Sequence, residues 1–261
     1  MNIYIGTDLE GASGAWRGSQ VSPEYPSDYA YGRGCLTRDV NTVIGAAFDQ
    51  GAESIVVCDG HGPGGLDWED VDPRVTLEKG GGVFPSLGED TDCLFSVGRH
   101  AMAGTMGAFL EHTQTSRDWF EFRINGVPQG EMGIMACYAG HFGAPLALVT
   151  GDRAACEEAH RLFPEAATAE VKHSVARQGP CSCRPAAEVE KLLRERTVEA
   201  MDRVRSGQVV PFQLTGPITL ELTYQRVDLA DALSRRNPRW QRVDGRTLRC
   251  EVERQNEIYC W

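Results

Sequence analysis

Residues 54–58 (SIVVC) form a short, almost wholly apolar run, the pattern of a strand covered on both faces of a sheet. Upstream, Val40, Val43, Ile44, Ala47 and Phe48 recur at helical spacing over residues 36–50, and Gly51 suits the left-handed turn that ends a helix. Before that helix, residues 2–7 alternate around Ile3 and Ile5 and stop at Gly6-Thr7-Asp8. Strand, helix, strand is a crossover unit of a parallel sheet, and it confines the chain to an α/β architecture.

The rest of the sequence extends that pattern. Residues 11–30 are rich in Gly, Ser and Pro and read as a long loop. Residues 93–97 and 145–150 read as further buried strands, 120–124 as a strand followed by an Asn125-Gly126 turn, and 131–140 as a buried helix. Helices are expected over 153–162 and 186–204, and strands over 218–224 and 247–252. The expected fold is a three-layer α/β sandwich around a mostly parallel mixed sheet, with a smaller C-terminal α+β part. We divide it into a core at 1–180 and, at 181–261, a helix plus strands packing on the core as an oligomer-contact region.

A formal net charge of -11 argues against nucleic acid or an anionic membrane as the main partner. There is no basic leader followed by an apolar run, and no stretch of membrane-span length. The odd number of cysteines, 9 in all, suits free thiols in a reducing cytoplasm, and Cys181-Ser182-Cys183 is too cramped for a zinc knuckle. We read that pair as a loop feature.

Polar residues able to hold a metal sit just past the ends of the buried strands: Asp8 and Glu10 after the first, Asp59 and His61 after the second, His100 after the third. In open α/β sheets ligands bind outside the carboxyl ends of the strands, so these residues can converge. Imidazoles with carboxylates suit zinc, and also manganese or cobalt. Spacing alone leaves other readings open. Asp8 can cap a loop, Glu10 can be a solvated charge, His61 can be a surface imidazole among glycines, and Glu131 can be the acidic first turn of a helix.

The segments IGTDLEGASG (5–14), VVCDGH (56–61), GRHAMAGT (98–105), LEHT (110–113) and INGVPQGEMG (124–133) occur in one order. Together they resemble the zinc-dependent D-aminopeptidase family, over about two-thirds of the chain. The resemblance implies that Asp8 bridges two zinc ions and that Glu10, His61, His100 and Glu131 complete the metal set. It places the catalytic histidine at His112, as general base, proton shuttle or nucleophile. Asn125 is a candidate donor to substrate, and Asp59 a residue orienting His61. Arg99 stands where the family commonly has Tyr, and Gly60 where it often has Ser; an arginine there suits a substrate carboxylate. The chain ends at Trp261, where relatives continue into a further helix.

The implied activity is a cytoplasmic binuclear aminopeptidase for short peptides with a free N-terminus, including D-residue or cell-wall-derived peptides. The implied assembly is a decamer of two stacked pentamers. An amidase of small amides keeps the same metal site, and a non-catalytic peptide-binding protein is the third reading. A panel of amides, D-peptides and γ-glutamyl peptides separates them.

Overall fold

The computed structural model describes residues 1–80 and 84–261. Its strands are β1 (Asn2–Thr7), β2 (Ser54–Asp59), β3 (Thr76–Lys79), β4 (Cys93–Arg99), β5 (Trp119–Ile124), β6 (Val127–Pro128), β7 (Leu146–Asp152), β8 (Ala167–Ser174), β9 (Cys181–Cys183), β10 (Ile218–Tyr224), β11 (Gln241–Arg242) and β12 (Thr247–Val252). Its helices are α1 (Pro26–Asp49), α2 (Glu131–Gly140), α3 (Arg153–Leu162), α4 (Ala186–Arg205) and α5 (Val227–Arg236). The larger sheet has seven strands in the order β3-β2-β1-β4-β7-β8-β9, parallel except for the edge strand β9. The smaller is antiparallel, in the order β11-β12-β10-β5-β6.

Strand alternation separates two cores on the large sheet. Ile3 and Ile5 of β1 join Val40, Val43 and Ile44 of α1 and Leu193 and Met201 of α4 on one face. Tyr4, Leu94 and Val149 join Met132 and Met135 of α2 and Ala155 of α3 on the other. This is the expected sandwich. The second sheet adds a further layer through α2, whose Ile134 and Cys137 pack with Phe122, Leu220 and Leu248. A helix buried all round must be apolar all round, and EMGIMACYAG is so after its first residue. Each fully buried Met or Ile there contributes about 1.5–3 kcal/mol. Position 180/181 is crossed in both directions: β9 and α4 belong with the large sheet, while β5 pairs with β10 in the sheet that also holds β11 and β12.

The helix expected over 36–50 begins at Pro26, so the loop expected over 11–30 ends before it. Proline at the first helical position is preorganised for the turn. Gly32 has a packing reason, since a Cβ there would lie 2.1 Å from the Gln20 carbonyl oxygen of the loop crossing α1. β3, β6, β8, β11 and α5 were not expected, and Cys181–Cys183, expected as loop, is strand β9 paired with β8.

Gly98 near the end of β4 carries a sharper constraint. Its φ is +75°, which costs little to a residue without Cβ, and a Cβ would sit 2.0 Å from the Asp8 carbonyl oxygen. Gly98→Ala should cost at least about 2 kcal/mol. The check is thermal melting with and without zinc; an unchanged melting temperature would show that β1 and β4 need no such close approach.

Candidate metal centre

Seven of the side chains singled out from the sequence meet where the parallel strands end. The loop after β1 is stitched to β4 by Asp8 N donating to Val97 O at 2.9 Å and Gly11 N to Gly98 O at 2.8 Å. It is also gathered from below by Lys172 of β8, fully buried, whose ammonium donates to the carbonyls of Glu10, Ala12 and Ala15. Burial pushes the Lys172 ammonium down from its ordinary range. Sequence reasoning missed this clamp; its only trace is a lysine inside a strand-like run.

His61 enters on the loop after β2. Its Nδ1 lies 3.3 Å from Asp8 Oδ1 and 3.2 Å from Glu10 Oε2, and its Nε2 lies 3.0 Å from the Val21 carbonyl oxygen. Asp59 was expected to orient this ring. It acts instead on the loop, accepting from Gly65 N at 2.8 Å and Trp68 Nε1 at 3.2 Å, with Lys79 at 3.5 Å. The carbonyl of Val21 takes the orienting role.

His100 follows β4. Its Nδ1 faces the Ala101 carbonyl at 2.9 Å and its Nε2 lies 3.1 Å from Asp8 Oδ2 and 3.5 Å from Glu131 Oε1. Glu131 opens α2, where the helix dipole favours a carboxylate, and its Oε1 accepts from Gln114 N at 2.8 Å. His112 stacks on His100 with ring centroids 3.9 Å apart, its Nδ1 facing the Leu110 carbonyl at 2.9 Å and its Nε2 lying 3.6 Å from Glu131 Oε1. Leu110 and Gln114 on either side have φ of 48° and 62°. Such strain in residues with side chains persists only where surroundings enforce it, and here it fixes His112.

All three rings share one arrangement. A carbonyl oxygen accepts only from an N–H, so each ring, when neutral, carries its proton on the nitrogen facing the backbone and turns its other nitrogen, with its lone pair, toward the carboxylates. Lone pair against carboxylate is repulsive unless a proton or a metal ion lies between. Glu10 Oε2 and His100 Nε2 are buried with no hydrogen-bond partner. The residues present therefore fit a metal: borderline nitrogen and hard oxygen donors, the imidazoles oriented by backbone acceptors, as metal-binding histidines are. Donor atoms of Asp8, Glu10 and His100, and of His100, His112 and Glu131, lie close enough to share an ion.

Without metal, charge redistributes over the same atoms. Burial opposes ionisation of Asp8, but Arg99, His100 and His61 hold its carboxyl well below the usual range. Burial likewise opposes ionisation of Glu131, yet His100 carries it down to about 2. For His61, burial favours the neutral ring, and Glu10 and Asp8 outweigh it, raising it to about 11.

Two candidates do not behave as expected. Asn125 is exposed in the β5–β6 turn at φ 48°, its Oδ1 accepting from Thr219 N at 2.8 Å, so it serves the sheet and does not line the cleft. Arg99 is buried at 5% exposure, its Nη1 donating to Asp8 Oδ2 at 2.9 Å and Glu131 Oε2 at 2.6 Å and its Nε to Ser96 Oγ at 3.1 Å. A substrate carboxylate would have to compete with two protein carboxylates for it. The cleft, of about 500 Å³, is lined further by Gln114, Arg117, Phe84 and Tyr259, none of which the sequence singled out. Arg117 is exposed at its rim.

A parallel α/β sheet with imidazoles and carboxylates converging at its carboxyl edge is the arrangement of a metal-binding α/β protein. The family model described as D-aminopeptidase matches residues 1–261. A D-aminopeptidase of Bacillus subtilis (strain 168) is 32% identical over 206 residues, covering 77% of this chain and 74% of that protein. The solved structure of the zinc-dependent D-aminopeptidase DppA from Bacillus subtilis, described as a self-compartmentalizing protease, superposes with a TM-score of 0.92 at 27% identity, covering 100% of this chain and 94% of that one. The chain belongs to the D-aminopeptidase family and is a metallo-aminopeptidase.

The histidines make metal-free stability pH-dependent. His61, raised to about 11, contributes fully below its ordinary 6.5 and loses that contribution as pH rises toward 11. Asp8 and Glu131, lowered, contribute above the ordinary carboxylate range and lose it as pH falls, for Glu131 through about 2. Zinc competes with the histidine protons, so the gain in melting temperature on adding zinc should widen between about pH 5.5 and about pH 7.5. Calorimetry with chelator and with zinc reads this; a gap that narrows would count against histidine ligation.

Proposed function

We propose that this chain is a binuclear zinc aminopeptidase, with manganese or cobalt as possible substitutes, acting on short peptides with a free N-terminus, including D-residue or cell-wall-derived ones. The observation that carries the metal reading is the set of imidazole nitrogens turned toward buried carboxylates while backbone carbonyls hold the opposite nitrogen of each ring. Asp8 has one oxygen toward His61 and the other toward His100, so it would be shared by two ions, one also held by Glu10 and His61 and the other by His100 and Glu131. Bound zinc supplies Lewis acidity toward the scissile carbonyl and the attacking water. His112, held by Leu110 and flanked by strained residues, takes a proton from the water and returns it to the leaving amine. The cleft volume suits a ligand of two or three residues. Free thiols at all nine cysteines support a reducing, cytoplasmic setting. The relative described as self-compartmentalizing supports an oligomer, here a ring of two pentamers with 181–261 contributing contacts; light scattering reads it as a tenfold multiple of the 28.6 kDa chain.

Elemental analysis and hydrolysis of D- and L-alanyl peptides test the reading together. Asp8→Ala should lose zinc and turnover without unfolding, and His100→Ala should lose turnover together with the ion that Asp8, His100 and Glu131 would hold. His112→Ala should keep its zinc while kcat falls by about 10²–10⁴-fold. Full turnover in Asp8→Ala, or zinc loss in His112→Ala, would sink the assignment of roles.

Arg117 at the rim is the cation placed to meet the carboxylate of a short peptide. Arg117→Ala should raise KM for dipeptides by about tenfold and leave kcat near its original value, with amino-acid amides unaffected. Equal effects on amides and peptides would remove Arg117 as the carboxylate contact, and amides preferred throughout would favour the amidase reading.

A further inference from the structure

We infer that Arg99 makes the two cation positions unequal, so that zinc is held tightly by Asp8 Oδ1, Glu10 and His61 and only weakly by Asp8 Oδ2, His100 and Glu131. This rests on the metal-centre reading proposed above.

The Arg99 guanidinium faces the His100 position. Nη1 touches Asp8 Oδ2 and Glu131 Oε2, both oxygen-bearing members of the His100 position. None of its hydrogen bonds goes to Glu10 or to Asp8 Oδ1, the oxygens of the His61 position. The side chain cannot swing away cheaply, because it is buried and its Nε is tied to Ser96 Oγ at 3.1 Å. An arginine stays charged at any working pH.

Formal charge points the same way. Asp8, Glu10 and Glu131 bring three negative charges, and Arg99 leaves two of them to be balanced. One divalent cation does that; a second enters a site already neutral on this count, a few ångströms from a fixed guanidinium. At an effective dielectric near 20, that repulsion weakens binding by at least about a hundredfold. The His61 position meets the guanidinium at none of its own oxygens, since Arg99 makes no hydrogen bond to Glu10 or Asp8 Oδ1. His100 Nε2, buried without a partner, still offers the weak position a ligand, so the second ion is exchangeable rather than excluded.

The test titrates chelator-treated full-length protein with zinc against a zinc-binding dye, and counts the zinc kept after desalting by elemental analysis. The wild type should keep about one zinc per chain and fill a second position only at a free zinc concentration at least about a hundredfold higher. Arg99→Met should close that gap and keep about two, while Arg99→Lys, which retains the charge, should behave as wild type. If Arg99→Met does not fold, Arg99→Gln is read in its place. Two positions of equal affinity in the wild type, or a gap unchanged by removing the charge, would overturn the inference and leave the binuclear reading standing. No zinc retained by any form would overturn both.

Discussion

Three carboxylates share one buried volume at the carboxyl edge of a parallel sheet, and the rest of the site answers their mutual repulsion. Arg99 meets two of them, His61 and His100 meet all three between them, and the N-terminus of α2 carries the third. In low-dielectric surroundings such charges must be paired or bind cations. The same requirement explains why the imidazoles are held by backbone carbonyls. A ring free to turn would satisfy itself elsewhere and leave the carboxylates unpaired.

The scaffold converts that electrostatic demand into positions. Each parallel strand delivers its last residues to one edge, so β1, β2 and β4 bring Asp8, His61 and His100 together without any local motif. Lys172 reaches across from β8 and draws three carbonyls of the first loop onto one ammonium. Helix α2, apolar on every side, is clamped between two sheets and presents Glu131 as its only charged residue. Its rigidity is therefore transmitted directly to a ligand position.

Much of this was legible in the sequence. Apolar runs such as SIVVC report their burial on both faces, and the crossover unit they bound leaves few sheet arrangements. The ligand-type residues stand at strand ends, and their ordered segments carried the resemblance to the aminopeptidase family. The misreadings were of another kind. Residues 26–30 read as loop because composition does not say that Pro26 opens a helix or that the preceding loop packs back on it at Gly32. Asn125 looked like a donor because a turn residue and a ligand residue share one sequence signature.

The sequence by itself determined the α/β class, the strand ends where polar side chains collect, and the set of residues able to bind metal, because these depend on periodicity and side-chain chemistry. Only the tertiary structure decided which atoms face one another: that Arg99 spends its guanidinium on Asp8 and Glu131, that Asp59 braces a loop while Val21 orients His61, and that Lys172 lies beneath Glu10. Those facts rest on contacts between residues distant in the chain, including backbone carbonyls that carry no sequence identity. Their reason is geometric: the distances that set charge and hydrogen bonding exist only once the sheet has brought its strand ends together.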